Sequence, residues 1–160
     1  EKAEPDTMSR PPRDSKEGIF AGGLFTDIVY QGMLVTALTI LSYIIGNSFE
    51  VGHFAMPVGV SEHGMTMAFL TMSMCEIFHS FNMRSQRQSI FKLGSQNKFL
   101  LLAGIGSFLA TVLVCEIEFL ANAFGFVPVG VEEFLIAIAL GACVIPIVEI
   151  VKFIQRKIAK

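Results

Sequence analysis

Four polar side chains, three residues apart, lie inside an otherwise apolar run of the chain. They are Ser73, Glu76, His79 and Asn82, within Met65–Met83. Residues three apart are neighbours on a helix, so this spacing predicts a slowly drifting polar stripe along one helix. A carboxylate, an imidazole and an amide could line a path for a cation. The same stripe could instead hold neighbouring helices together as a polar seam, and the spacing leaves both interpretations open.

Other kinds of metal site are not favoured by the sequence. Glu76 and His79 have the Glu-x-x-His spacing of a di-iron helix bundle, but that chemistry requires a second such pair and two further glutamates, and the pair occurs once. The cysteines Cys75, Cys115 and Cys143 all lie in apolar stretches without close spacing. This pattern argues against a zinc site and a disulfide framework, and predicts small buried residues.

Polar segments divide the chain into four apolar runs. The composition is 52% hydrophobic and 16% charged, whereas soluble domains carry about 25% charged residues. A helix of roughly 20 apolar residues crosses a bilayer, and the runs lack the recurring polar face of a soluble bundle. The sequence therefore predicts an all-α integral membrane four-helix bundle of two transmembrane hairpins. It forms one domain over residues 1–160, with spans at about 24–46, 65–83, 99–118 and 134–153.

The basic residues predict the orientation of these spans. All 12 Lys and Arg residues lie in the first 16 residues, in the loop between the second and third runs, and in the tail. Because basic residues concentrate in cytoplasmic loops, both termini and the middle loop are predicted to be cytoplasmic, including the loop 1–23. Four crossings return the chain to its starting side, which agrees with the prediction that both termini are cytoplasmic. A net charge of −2 gives no indication of a nucleic-acid partner.

Glycine and proline inside the runs predict local packing. Gly32, Gly104 and Gly106 lack side chains, so they allow close helix approach at these positions. Gly141 and Pro146 interrupt the fourth run and predict a bend there.

Titratable residues near the ends of the runs carry simpler expectations. Asp27 is expected to cap the start of the first span. Glu149 lies one turn before Lys152, a spacing that favours an ion pair at the interface. His53 and His63 lie in a loop on the outer side, and we expect neither to take part in a cluster of functional groups.

Three segments resemble type II P-type cation ATPases. Residues 5–17 read Pro-Asp-Thr-Met-Ser-Arg-Pro-Pro-Arg-Asp-Ser-Lys-Glu, similar to the Pro-Asp-Ile-Met-x-Arg-Pro-Pro-Arg pattern, followed by Pro-Lys-Glu, that precedes the seventh transmembrane helix of calcium pumps. Thr7 and Ser15 replace the usual Ile and Pro. Residues 76–91 resemble the eighth helix and the loop after it, and residues 146–154 the end of the tenth. The four spans would thus be the seventh to tenth helices.

The resemblance implies a pump that couples ATP hydrolysis to cation transport through a phospho-aspartate. ATP and Mg²⁺ would bind only in upstream domains, and the polar start without Met or signal pattern indicates that the protein continues upstream. We therefore expect a C-terminal membrane fragment, inactive alone, whose partners are the lipid bilayer and the upstream helices and domains. Short outer loops and a short tail favour a bacterial pump of the plasma membrane.

The resemblance also implies roles for single residues. Glu76 aligns with the eighth-helix glutamate that supplies a calcium ligand in the reticulum pump, so transported Ca²⁺ is the expected ion. His79 stands where calcium pumps have Asn, which leaves ion number and counter-transport open. His79, Asn82 and Ser73 are weaker ligand candidates. The loop residues expected to contact the cytoplasmic domains are Arg10, Arg13 and Lys16.

Two alternatives stay open. A monovalent-cation or proton pump would share the same fold and differ in ligands on upstream helices. A stand-alone four-helix membrane protein would lack the cytoplasmic domains altogether, although the motif in residues 5–17 and the absent initiator Met speak against it.

Overall fold

The structure is a computed structural model that describes residues 8, 16, 18, 20–91 and 97–158. These residues form helices and connecting loops, and no strand occurs among them. A short 3₁₀ turn over Ala21–Gly23 precedes the first helix. The helices are α1 (Leu24–Val51), α2 (Glu62–Asn82), α3 (Lys98–Glu116), α4 (Glu118–Phe124), α5 (Val131–Ala142) and α6 (Val144–Ile158). The all-α prediction is confirmed, while most of the predicted loop 1–23 lies outside the described residues.

Residue type sets the helix ends. Gly52, just after α1, has a φ of 81° and donates its N–H to the Ser48 carbonyl, a left-handed C-terminal cap that glycine adopts readily. The Ser61 hydroxyl accepts the Gly64 N–H at the start of α2. The Asn97 side chain accepts two N–H groups at the start of α3. These caps satisfy backbone groups that have no partner within their own helices.

Helix α2 lies at the centre of the bundle. It packs against α1, α3, α5 and α6, and its largest buried side chains include Met67, Leu70 and Met74. A Cβ on Gly46 of α1 would lie 2.7 Å from the His63 carbonyl oxygen, and a Cβ on Gly141 of α5 would collide with the Met74 Cβ. Small residues therefore bring α1 and α5 close to α2, as in other membrane helices.

The glycines that allow close packing were only partly predicted. A Cβ on Gly32 or Gly106 would meet no described atom within 4 Å, and one on Gly104 would make ordinary 3.7 Å contacts with Ile77 and Phe81. Within the described part of the chain, no other helix approaches closely at Gly32 or Gly106, so close approach there stays a prediction. Glycine composition marks where approach is possible, whereas the face that meets another helix depends on the packed bundle.

A small polar junction ties three helices together inside the bundle. The Thr71 hydroxyl of α2 donates to the Ser42 hydroxyl of α1 at 2.7 Å and lies 3.4 Å from the Ala137 carbonyl of α5. Ser42 in turn donates to the Met67 carbonyl at 2.9 Å. Both hydroxyls are fully buried. Buried hydroxyls are costly unless they are hydrogen-bonded, so this arrangement specifies how the three helices meet.

The fourth apolar run is broken into α5 and α6 at Cys143. Pro146 has no N–H, so it cannot complete the helical hydrogen bond to Ala142. The helix is interrupted between Gly141 and Pro146, as expected, while a bend there stays a prediction. Near the third run, α3 ends at Glu116, and Ile117 takes an extended conformation (φ −81°, ψ 112°) before α4 begins. The predicted span 99–118 therefore includes a helix end.

Three described segments are long and apolar enough to cross a membrane. They are Leu24–Val51, Lys98–Glu116 and Val131–Ile158, the last comprising α5 and α6. Many large apolar side chains on these segments are exposed, including Leu102, Leu109, Leu135 and Ile150. Exposed apolar helix faces of this extent belong in lipid, so this is an integral membrane protein. A fourth crossing by α2 stays a prediction.

Candidate cation site

Glu76 lies about two-thirds of the way along α2 with its side chain exposed. It faces a groove of about 390 Å³ between α2 and α3. Hydroxyl side chains from both helices line the same groove, namely Ser73, Ser80, Ser107 and Thr111. The remaining lining residues are apolar or small, among them Ala103 and Gly104. The groove thus places one carboxylate and several neutral oxygens inside an apolar helix pair.

These oxygens suit a hard cation but do not complete a site. Calcium takes about six to eight oxygen ligands. The groove offers one carboxylate and four hydroxyls, of which Ser80 and Thr111 already donate to carbonyls of their own helices. Among the described residues no group of three or more His, Cys, Asp or Glu could hold a metal ion. A complete calcium site therefore requires ligands from outside these residues.

His79 turns away from the groove toward α1. Its Nε2 lies 3.0 Å from the Gln31 side-chain oxygen, and the Gln31 amide donates to the Tyr30 hydroxyl at 3.0 Å. A carbonyl oxygen only accepts, so Nε2 carries the hydrogen in this arrangement. The buried Nδ1 has no hydrogen-bond partner within the described part of the chain.

Asn82 ends α2 against α6. The side chain is fully buried and donates to the Val144 carbonyl at 3.3 Å. Its Oδ1 has no partner among residues 20–91 and 97–158 or the other described positions. The Lys152 ammonium donates to the Asn82 backbone carbonyl at 2.6 Å. Asn82 therefore joins α2 to α6.

The structure brings together Ser73 and Glu76 but not the rest of the predicted stripe. Each three-residue step leaves the next side chain about 60° behind the last on a 3.6-residue helix. Three such steps place Ser73 and Asn82 on about opposite sides of α2. The groove, α1 and α6 accordingly receive different members of the stripe.

The predicted coupling-loop residues fall largely beyond what the structure describes. Arg10 and Arg13 lie outside the described residues. Lys16 is described, in a turn, and is exposed. The proposed contact of these residues with a cytoplasmic domain stays a prediction.

Asp27 forms a cluster that the sequence did not predict. The helix begins after Gly23, so Asp27 lies within its first turn and is not the cap. Its side chain is buried, and its two oxygens accept hydrogen bonds from Gln155 at 2.6 Å and from Gln86 at 3.0 Å. The capping expectation was wrong because α6 and the loop after α2 converge on this carboxylate. Glutamines carry no charge, so charge patterning gave no signal for them.

His63 and Glu133 form a second unpredicted contact, at the opposite end of the bundle. Their Nδ1 and Oε1 atoms lie 2.7 Å apart. Glu133 is only 5% exposed and also accepts the Gly130 N–H at 2.7 Å. The Glu50 carboxylate accepts the Ser61 hydroxyl at 2.6 Å and the His63 backbone N–H at 3.4 Å. The expectation that His63 takes part in no cluster was wrong, because its partners lie far away in sequence.

The fold and the groove define a class of membrane protein: a bundle of apolar helices with a carboxylate inside one helix. Comparison with known proteins gives the family. The model of the family described as "Cation transporting ATPase, C-terminus" matches residues 1–154. The chain belongs to this family.

Bacterial calcium-transporting ATPases are among the similar proteins. The chain is 30% identical to calcium-transporting ATPase 1 of Bacillus cereus over 96% of its length, and 34% identical to a calcium-transporting ATPase of Listeria monocytogenes over 100%. It is 33% identical to calcium-transporting ATPase 1 of Lactococcus lactis over 97%. The chain spans only 17–18% of the length of these relatives.

Proposed function

We propose that the chain is the C-terminal membrane region of a calcium-transporting P-type ATPase. The observation that carries this proposal is the family match together with the Glu76 carboxylate in the groove beside α2. An ionisable side chain inside a membrane helix is costly and usually functional. In this proposal the region contributes helix scaffold and one part of an ion site, and it is inactive alone. Hydrolysis of ATP and binding of Mg²⁺ belong to domains outside the chain.

In the proposed topology the chain crosses the membrane four times, as two hairpins with cytoplasmic termini. The 21 residues of α2 span about 31 Å at 1.5 Å per residue, close to the ~30 Å hydrocarbon core. Its lower hydropathy fits its central position, because other helices rather than lipid cover most of α2. The basic residues of the middle loop and tail favour the cytoplasmic side for both. The plasma membrane of a bacterium is the proposed location.

Calcium is the proposed cargo, and Glu76 is its proposed ligand. A carboxylate suits a hard cation, and the relatives that match the whole chain are named as calcium-transporting. Ser73 shares the groove with Glu76 and is the second candidate. His79 and Asn82 are more remote candidates, because they turn to α1 and α6. Upstream helices would supply the remaining ligands, and Arg10, Arg13 and Lys16 would contact the cytoplasmic domains.

The test uses the complete reading frame expressed in membranes. Phosphoenzyme formed from labelled ATP is recorded across a calcium titration for the wild type, Glu76→Gln and Glu62→Gln. Glu62 is a matched control, because it is exposed on the same helix but about 21 Å away along its axis. We expect Glu76→Gln alone to move the midpoint to higher calcium. An unshifted midpoint would remove Glu76 from the site, and phosphoenzyme that ignores calcium would favour a monovalent-cation or proton pump.

A further inference from the structure

The cytoplasmic half of α6 holds the end of α2 through a buried cation. Lys152 is only 3% exposed, although it carries an ammonium group. Its Nζ donates to the Asn82 carbonyl at 2.6 Å and lies 3.5 Å from the Gln88 carbonyl. The carbonyls at a helix C-terminus lack partners within the helix and carry partial negative charge. Lys152 therefore caps the C-terminus of α2 from a different helix. Burying its charge is costly unless the ammonium group is hydrogen-bonded, as it is here.

Two further side chains of α6 bond to the backbone of the same loop. The Glu149 carboxylate accepts the Ile90 N–H at 3.0 Å. The Arg156 guanidinium donates to the Arg87 carbonyl at 2.6 Å. Together with Lys152, they attach α6 to the end of α2 and to the loop that follows it. We refer to Glu149, Lys152 and Arg156 as the α6 brace.

We infer that the α6 brace is a positioning device for the ion-binding helix, and that Lys152 is its main positioning residue. Glu76 lies six residues before Asn82, about 9 Å along a stiff helix. Fixing the Asn82 end therefore fixes the depth at which Glu76 stands in the membrane. The Asn82 side chain adds a bond to the Val144 carbonyl, so α6 holds both the backbone and the side chain of this residue. This inference rests on the proposed role of Glu76.

The test measures calcium dependence and phosphoenzyme amplitude separately in the complete pump. Lys152→Met keeps the length and apolar stem of the side chain and removes the charge. Lys157→Met is the matched control, since Lys157 is exposed on the same helix and lies over the Phe153 ring. We expect Lys152→Met to raise the calcium midpoint about tenfold, as loss of a supporting residue does at metal sites, with the amplitude at saturating calcium retained. Lys152→Arg keeps a cation and is expected to fall between Lys152→Met and the wild type.

Several results would overturn the inference. A midpoint in Lys152→Met equal to that of Lys157→Met would do so, as would equal losses in Lys152→Arg and Lys152→Met. If Lys152→Met does not accumulate in membranes, Glu149→Ala is the deciding variant, because it removes the acceptor for the Ile90 N–H and leaves Lys152 in place. A rise in its calcium midpoint, smaller than the tenfold rise expected for Lys152→Met, supports the inference. No rise overturns it. A wild-type pump without calcium-dependent phosphoenzyme would instead refute the proposed function, so the two failures are distinguishable.

Discussion

His63 and Glu133, 70 residues apart in the chain, meet through a 2.7 Å contact between Nδ1 and Oε1. The contact joins the start of α2 to the start of α5. Glu133 also accepts the Gly130 N–H, so one buried carboxylate both caps α5 and anchors α2. The first turns of α2 and α5 thus share a polar contact.

This contact predicts that the effects of substituting His63 and Glu133 on the stability of the folded protein are coupled. His63→Ala and Glu133→Gln are each expected to lower the midpoint of thermal unfolding of the detergent-purified pump. The His63 side chain is 33% exposed, so we expect a coupling energy of only about 1 kcal/mol in a double-mutant cycle. His53→Ala, at an exposed position, is the control. Strictly additive effects would contradict the contact.

Two threonines on neighbouring helices predict opposite effects of the same substitution. Thr71 is fully buried and bonds to Ser42, so Thr71→Val should destabilise by about 1 kcal/mol or more, because it leaves buried partners unsatisfied. The Thr39 hydroxyl is buried without a partner among the described residues. Thr39→Val should therefore be neutral or stabilising. Thermal unfolding of both variants side by side checks the pair, and equal losses would count against the polar junction.

The close packing of Met74 against Gly141 predicts that position 141 tolerates no side chain. An added methyl group would collide with Met74, so Gly141→Ala should destabilise by about 1–3 kcal/mol, the usual cost of overpacking. Gly106→Ala is the matched control in α3, because nothing described lies within 4 Å of the added Cβ. Alanine favours a helix by up to about 1 kcal/mol over glycine, so Gly106→Ala should not destabilise. Equal unfolding midpoints for the two variants would contradict the close approach of α5 to α2.

The proposed topology predicts which loops an impermeant thiol reagent reaches. In a variant lacking Cys75, Cys115 and Cys143, single cysteines are placed at Gly59 or at Lys157. Gly59 is exposed, and a side chain there meets nothing within 4 Å. Intact cells should label Gly59→Cys alone, and inverted vesicles should label Lys157→Cys alone. Labelling of both positions from the same side would exclude an odd number of crossings between them, and with it the three crossings that the proposed topology places there.

The helices could be predicted from the sequence, but much of their contact pattern could not. Long uncharged runs predict helices because lipid requires internally bonded backbone, and the break near Pro146 follows from its missing N–H. Each three-residue step turns the next side chain by about 60° around α2, and the sum of these turns decides which side of the helix His79 and Asn82 occupy. Their positions also depend on partners such as Gln31, which the spacing does not reveal. The Asp27 cluster depends on two uncharged glutamines that no periodic pattern distinguishes.

The α6 brace has a consequence for how the middle loop can vary. The bonds from Lys152 and Arg156 end on main-chain carbonyls, which every residue supplies, and Glu149 accepts a main-chain N–H, which every residue except proline supplies. Side chains at Gln88 or Ile90 can therefore be exchanged without loss of these bonds. Insertion or deletion of one residue between Met83 and Arg87 would shift the Arg87 carbonyl and the Ile90 N–H relative to their partners on α6. Residues 83–90 are thus constrained in length and path far more than in composition, and engineered tags or labels within them should replace residues rather than add them.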